Sequence, residues 1–280
     1  MTAASSPRIG LALGAGGARG LAHLVLLEAL DDLGLKPAAI AGASMGAVLG
    51  APYAWGVTAR DLRAHALGLA RDKAGAMAKA LEARVGMAGW LSGPILIDAE
   101  KFLTLFWPAG APARIEDMAI PFAAAATDYY GRCGALIGSG PLRSAVAGSM
   151  AIPGLVKPVE REGRALVDGA LVDPVPYESL MKVCDLVIAC DVIGGPTPGE
   201  AAAPDRISAL FGATQILQHA VLNEKLKRGR PHLLLRPQVD RFRALDFFSA
   251  QRIVRGVEAE RDAMKRSIEL AFTDVAKRTA

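Results

Sequence analysis

Short apolar runs alternate with stretches of helical apolar spacing along much of this chain. A buried strand is predicted at 8–13, where an apolar run follows Arg8, and a glycine-rich loop comes next at 14–20. One helix face then continues to Gly34 through Leu21, Leu24, Val25, Leu27 and Leu30. An apolar period near 3.6 residues predicts a helix, and glycine is a common residue at its end. The chain therefore begins with a strand, a loop and a helix.

The same alternation continues to the end of the sequence. Further strands are predicted at 38–41, 120–127, 130–138, 164–167, 185–191 and 232–236. Helices are predicted at 58–85, after Pro141, at 207–221 and at 253–271. Strands that alternate with helical segments are typical of a parallel sheet with helices on its faces. We therefore predict a three-layer α/β fold with a central, largely parallel sheet.

Length and composition limit the domain organisation. A chain of 280 residues is long enough to bury one substantial core, and no internal repeat suggests an array. We assign residues 1–7 to an N-terminal tail and 8–280 to one domain. A stretch rich in glycine, proline and alanine at about 194–205 predicts a flexible connection within it.

The net charge and the cysteine spacing indicate which binding partners and which cellular compartment to expect. The net charge of +4 is too small to indicate nucleic acid binding, but it is compatible with attraction to an anionic lipid surface. Cys133, Cys184 and Cys190 are spaced for neither a disulfide framework nor a zinc site. We therefore expect a reducing, cytoplasmic environment.

Two segments could be mistaken for membrane or export signals. Residues 1–7 carry no positive charge and make a poor secretory signal. Residues 37–59 carry no charge and are long enough to span a bilayer. Their glycine, serine, proline and alanine content gives little transfer free energy, so we predict no transmembrane helix there.

The strongest candidate for chemistry is the sequence Gly42-Ala43-Ser44-Met45-Gly46. It has the Gly-x-Ser-x-Gly pattern of a nucleophile elbow, in which two glycines allow a tight turn that exposes the serine hydroxyl. The pattern could also arise by chance in a chain with 30 glycines. The predicted strand before it and the small-residue helix after it favour the elbow.

The glycine loop at 14–20 is the second candidate. Arg19 occupies the place of the third glycine of a dinucleotide-binding fingerprint, and the loop lacks the Gly-Lys-Ser/Thr ending of a P-loop. At a helix N-terminus, however, backbone N–H groups have no intrahelical acceptor and can bind an anion. Adjacent first and second strands would bring Gly16 and Gly17 beside Ser44, where they could form an oxyanion hole.

Asp168-Gly169-Ala170 ends the predicted strand at 164–167. An Asp-Gly pair alone usually marks a turn. In a chain that already offers a nucleophile and N–H donors, Asp168 is also a candidate general base.

Together these motifs resemble the patatin-like phospholipases of the short bacterial type. The loop ending in Ala18-Arg19-Gly20, the elbow and Asp168-Gly169-Ala170 occur in the family's order, and residues 149–176 are similar to its Ser-x-x-x-Pro block and the continuation into Asp-Gly. The resemblance implies a patatin-like catalytic domain that hydrolyses lipid acyl esters with a Ser-Asp dyad. It implies no metal or cofactor, and it is compatible with peripheral contact with a membrane surface.

The resemblance also assigns roles to residues. Ser44 would be the nucleophile and Asp168 the general base. The remaining assignments are Gly16, Gly17 and Arg19 in the oxyanion hole, and Gly42, Gly46 and Gly169 as motif glycines.

Three alternatives stay open at this point. The order of Ser44, Asp168 and either His219 or His232 would fit the triad of an α/β-hydrolase. Such an enzyme normally places several strands before its elbow, whereas one is predicted here. The same dyad would also serve a thioesterase or an acyltransferase, and the fold alone could serve a non-catalytic, membrane-associated regulatory module.

Residues 58–107 combine basic helix faces with bulky apolar residues, among them Met87, Trp90, Leu91, Phe106 and Trp107. Basic amphipathic segments suit a membrane interface. The segment could therefore be a lipid-facing lid or an ordinary part of the core.

Overall fold

The computed structural model describes residues 6–84, 97–196 and 203–279. Within them, eight strands form one sheet: β1 Ile9–Leu13, β2 Ala39–Ala43, β3 Phe122–Asp128, β4 Cys133–Ile137, β5 Val159–Arg161, β6 Arg164–Asp168, β7 Leu186–Cys190 and β8 Leu233–Leu235. The helices are α1 His23–Asp32, α2 Met45–Trp55, α3 Ala59–Arg71, α4 Lys73–Glu82, α5 Ala99–Phe106, α6 Leu142–Ser149, α7 Arg206–Arg228, α8 Ala250–Glu258 and α9 Arg261–Thr279.

The strand order is β5-β6-β3-β2-β1-β7-β8, with β4 also paired to β3. Neighbouring strands pair in parallel along the series β3, β2, β1, β7 and β8. At the β3 end of the sheet, β4, β5 and β6 form antiparallel pairs. Parallel strands require crossover connections, which the helices supply. The predicted α/β fold with a central, largely parallel sheet flanked by helices is confirmed.

Helices cover both faces of the sheet. Alternate residues of a strand point to opposite faces, so each face contacts a different set of helices. In β1, Leu11 and Leu13 belong to the larger apolar cluster, which includes residues of α1, α2, α8 and α9. Ala12 belongs to a second cluster with Leu222 and Leu226 of α7. The sheet therefore lies between two helical layers.

Some element boundaries differ from the predictions. The strand predicted at 130–138 begins only at Cys133, because residues 129–132 form a turn in which the Gly131 N–H donates to Asp128 at 2.8 Å. A 3₁₀ turn at Gly17–Ala22 precedes α1. The last predicted helix is two helices, α8 and α9. Residues 197–202 lie outside the described residues, so the connection predicted at 194–205 stays a prediction.

The segment 58–107 contributes to the core as well as to the surface. Leu103 and Trp107 are buried in the larger cluster, whereas Met77 and Leu81 are exposed on α4. Met87, Trp90 and Leu91 lie outside the described residues. Within the described part of the chain, no helix has both the length and the hydropathy needed to cross a membrane.

Leu103→Ala should lower the free energy of unfolding by about 2–5 kcal/mol, because it removes buried methyl groups and leaves a cavity. Leu103 is 0% exposed, whereas Met77, at 48%, provides a control whose Met77→Ala change should cost less than about 0.5 kcal/mol. Urea unfolding of both variants measures the difference. Similar small losses for both would contradict the assignment of α5 to the core.

Candidate active site

Ser44 lies in the turn between β2 and α2 with φ of 51° and ψ of −121°. A positive φ is uncommon for a residue other than glycine, and such strain is concentrated at functional sites. Added side-chain atoms would prevent the turn from closing. A Cβ at Gly46 would collide with the carbonyl oxygen of Leu13, and one at Gly42 would lie 2.6 Å from the backbone of α2. The sequence therefore forms the tight turn expected of an elbow.

Strand β3 brings Ser44 and Asp168 together. Ala43, the last residue of β2, pairs with Ala125, and Asp168, the last residue of β6, pairs with Ala126. The Ser44 Oγ consequently lies 2.7 Å from the Asp168 Oδ2, to which it donates a hydrogen bond. Both residues are only 5% exposed. A hydroxyl and a carboxylate in this arrangement can exchange a proton.

The Asp168 carboxylate is held from two directions. Its Oδ1 accepts a hydrogen bond of 2.8 Å from the Ala170 N–H, and its Oδ2 accepts the bond from Ser44. Burial raises the pKa of Asp168 to about 6, although these two hydrogen bonds favour the charged form and lower it. At Gly169 a Cβ would collide with the carbonyl oxygen of Ala125, so glycine allows the chain to pass close to β3.

Gly16 and Gly17 line the same cavity as Ser44 and Asp168. Gly17 has a φ of 57°, and a Cβ there would collide with the carbonyl oxygen of Ala244. It begins the 3₁₀ turn that precedes α1, where the first N–H groups have no acceptor within the helix. The glycine loop and Ser44 therefore line the same cavity.

Arg19 is the third residue that the sequence predicts for the oxyanion hole. Arg19 is 2% exposed and is not among the residues that line the cavity. Its guanidinium donates to the carbonyl oxygens of Phe242 at 2.6 Å, Ile193 at 2.6 Å and Gly195 at 2.8 Å. Its backbone N–H donates to Gly16 at 3.2 Å. Arg19 therefore holds the glycine loop against two distant chain segments.

The cavity above Ser44 has a volume of about 130 Å³. Its walls are mainly apolar and include Ile152, Pro153, Leu171, Leu210, Phe211 and Leu245. Helix α7 supplies Leu210 and Phe211 together with the polar Thr214, Gln215 and Gln218. Such a lining suits an uncharged, apolar group next to the serine.

Among the described residues, none of those that line this cavity is a histidine. All four histidine rings instead contact backbone atoms: His23 with Gly14, His65 with Phe106, His219 with Gly194 and His232 with Val187. The His23 ring is fully buried, and burial lowers its pKa to about 4. Within the described ranges, no group of three His, Cys, Asp or Glu side chains could hold a metal ion.

Sequence reasoning missed two contributors to this site. The apolar spacing at 207–221 predicts a helix that packs on the sheet, whereas α7 also forms one wall of the cavity. The available signal was its position after β7, because β1, β2 and β7 are parallel and their carboxyl ends meet at one edge. The sequence indicates Ser149 only as the first residue of the Ser-x-x-x-Pro block, but its hydroxyl accepts the Ser44 N–H at 2.9 Å.

Comparisons with known proteins identify the family of this chain. Residues 11–181 match the family model described as patatin-like phospholipase. An uncharacterized NTE family protein of Mycobacterium tuberculosis is 37% identical over 203 residues, which cover 72% of this chain and 54% of that protein. Lysophospholipase NTE1 of Mycosarcoma maydis is 34% identical over 188 residues, which cover 66% of this chain and 10% of that protein.

The chain thus spans about half the length of the mycobacterial relative and about a tenth of the fungal one. Among solved structures, VipD from Legionella pneumophila is similar with a TM-score of 0.53 at 14% identity, over 94% of this chain and 67% of that chain. At this identity the similarity concerns the fold. Because the family model matches more than half of its residues, this chain belongs to the patatin-like phospholipase family.

Proposed function

We propose that this protein is a serine acyl hydrolase that cleaves lipid esters with a Ser44–Asp168 dyad. The observation that carries the proposal is the buried 2.7 Å hydrogen bond from Ser44 Oγ to Asp168 Oδ2, in a cavity that Gly16 and Gly17 also line. Membership of a phospholipase family and the name of the fungal lysophospholipase support a lipid substrate. The apolar cavity walls support an acyl chain as the bound group.

The first half of the reaction would form an acyl-enzyme. Ser44 Oγ attacks the carbonyl carbon of the ester while Asp168 takes the hydroxyl proton. The negative charge that develops on the carbonyl oxygen accepts hydrogen bonds from the backbone N–H groups of Gly16 and Gly17, each worth about 10²- to 10³-fold in rate. The tetrahedral intermediate then collapses, and Asp168 returns the proton to the leaving alcohol oxygen.

The second half would release the acid. A water molecule gives a proton to Asp168 and attacks the acyl carbonyl carbon. Gly16 and Gly17 again stabilise the oxyanion. Collapse breaks the bond to Ser44 Oγ, which recovers its proton from Asp168. The products are one carboxylic acid and one alcohol, and the dyad returns to its starting state without a third catalytic side chain.

We further infer that the cavity opens toward a lipid surface. Leu171, Leu210 and Leu245 line the cavity and are also exposed to solvent. Phe247 and Phe248, two and three residues after Leu245, are likewise exposed. We call these five side chains the apolar rim. Several exposed apolar side chains at a cavity and in an adjoining chain segment are typical of an interaction site.

Positive charge lies next to this apolar rim. The Lys73 ammonium group is 5.8 Å from the centre of the Phe248 ring, and Arg243 is exposed in the same chain segment as Leu245. Apolar side chains flanked by cations favour the surface of an anionic membrane. These features support a membrane contact at the cavity more than one along the whole of residues 58–107.

Ser44→Ala should abolish hydrolysis of acyl esters and covalent labelling by a fluorophosphonate, because it removes the attacking oxygen. The melting temperature should change little, since one hydroxyl is lost from a turn that keeps its backbone bonds. Labelling is measured by intact mass, and an acyl-ester and thioester panel run with the wild type ranks substrates. Labelling of the Ser44→Ala protein at another serine would overturn the assignment.

Asp168→Asn should reduce kcat by about 10²- to 10⁴-fold, because an amide cannot accept the serine proton. His219→Ala and His232→Ala are the matched controls and should keep most of the wild-type kcat. In the wild type, kcat/KM should rise with pH through about 6, as the buried Asp168 carboxyl loses its proton. A well-folded histidine variant that loses orders of magnitude in kcat would restore the triad.

Phe247→Ser combined with Phe248→Ser should weaken binding to vesicles that contain anionic lipid, because both rings leave the apolar rim. Tyr130→Ser is the matched control, since Tyr130 is 79% exposed in the turn between β3 and β4. Vesicle sedimentation in the Ser44→Ala background separates binding from turnover, and added salt should weaken it. Equal loss in both variants, or none in either, would contradict the membrane assignment.

A further inference from the structure

We infer that Ser149 and the two residues after it set the spacing between Ser44 and Asp168. The inference rests on the function proposed above and adds a positioning residue to it. Ser149 is the last residue of α6 and is 0% exposed. It is not among the residues that line the cavity.

The Ser149 hydroxyl joins the nucleophile turn to strand β3. Its Oγ accepts the Ser44 N–H at 2.9 Å and donates to the carbonyl oxygen of Ala125 at 2.6 Å. A hydroxyl has one hydrogen and two lone pairs, so these two bonds use it once as acceptor and once as donor. The backbone of Ser44 is thereby tied to the strand residue that pairs with Ala43.

The same short segment also holds the general base. The Asp168 N–H donates to the carbonyl oxygen of Ala151 at 3.0 Å. The Thr127 hydroxyl donates to the carbonyl oxygen of Asp168 at 2.9 Å, which ties Asp168 to β3 as well. Residues 149–151 therefore bind the backbone of both catalytic residues, Ser44 through a side chain and Asp168 through a carbonyl.

This arrangement gives Ser149 an effect on the reaction that a packing residue would not have. Without its hydroxyl, the buried Ser44 N–H and Ala125 carbonyl lose the group that bridges them, and the strained turn at Ser44 can relax. A longer distance between Ser44 Oγ and Asp168 Oδ2 would slow proton transfer. Because Ser149 is outside the cavity, substrate binding should stay the same.

Ser149→Ala should therefore lower kcat by about 10²-fold, the scale expected when reacting groups are misplaced by about 1 Å. The KM should change by less than about twofold, since ground-state contacts are kept. The fluorophosphonate labelling rate should fall with kcat. The hydrogen bond from Ser44 lowers the pKa of Asp168, so weakening it should move the acid limb of kcat/KM to higher pH.

Ser144→Ala is the matched control, because Ser144 lies on the same helix and its hydroxyl accepts a hydrogen bond of 2.6 Å from Arg161. It should keep the wild-type kcat and acid limb. If Ser149→Ala yields little folded protein, Ser149→Cys carries the test. It keeps a group of similar size with weaker hydrogen bonds, and should show an intermediate kcat and a smaller displacement of the acid limb.

A folded Ser149 variant with wild-type kcat and an unmoved acid limb would overturn the inference, even if its melting temperature fell. That outcome would assign Ser149 to stability alone. Failure of this positioning role can be distinguished from failure of the proposed function. If Ser44→Ala stays active, the dyad itself is wrong. If Ser44→Ala is inactive and Ser149→Cys is fully active, only the positioning role is wrong.

Discussion

The pairing of β3 with two different strands is the constraint on which the candidate site depends. Ala125 pairs with Ala43 of β2, and the next residue, Ala126, pairs with Asp168 of β6. The nucleophile turn and the carboxylate therefore meet at adjacent positions of one strand. A shift of one residue in either register would turn side chains to the opposite face and separate the two groups. The sheet register thus brings Ser44 and Asp168 close together, and the side chains then set the distance between Ser44 Oγ and Asp168 Oδ2.

Small residues allow the chain segments around the site to pack closely at this register. Ala15, Ala43, Ala125 and Ala170 form a buried cluster of their own beside the site. Gly46 and Gly169 add positions where the backbone approaches a carbonyl oxygen too closely for any Cβ. Larger side chains would push the glycine loop, the elbow and the Asp168 turn apart. Alanine and glycine are therefore needed at these positions, because the three chain segments pack closely against β1 and β3.

Local sequence patterns predict those strands and motifs whose signal lies within a few consecutive residues. β1, β2, β6 and β7 were predictable because each is an apolar run with a recognisable end, and Ser44 and Asp168 were found through motifs next to those ends. The position of the Arg19 side chain was not, because its carbonyl partners lie 174, 176 and 223 residues away. The same holds for α7, whose apolar spacing predicts a helix but not the cavity that it covers. β5 has three residues and is too short to give a periodic signal.

The central claim is that Ser44 forms a covalent acyl-enzyme during ester hydrolysis. It is tested most directly by rapid acid quenching of the wild-type protein during turnover of an acyl ester, followed by peptide mapping by mass spectrometry. The account predicts that one acyl group is found on the peptide that contains Ser44, at the Ser44 oxygen, and that it disappears as substrate is exhausted. An acyl group on another residue, or turnover with no acylated peptide at any quench time, would contradict the account.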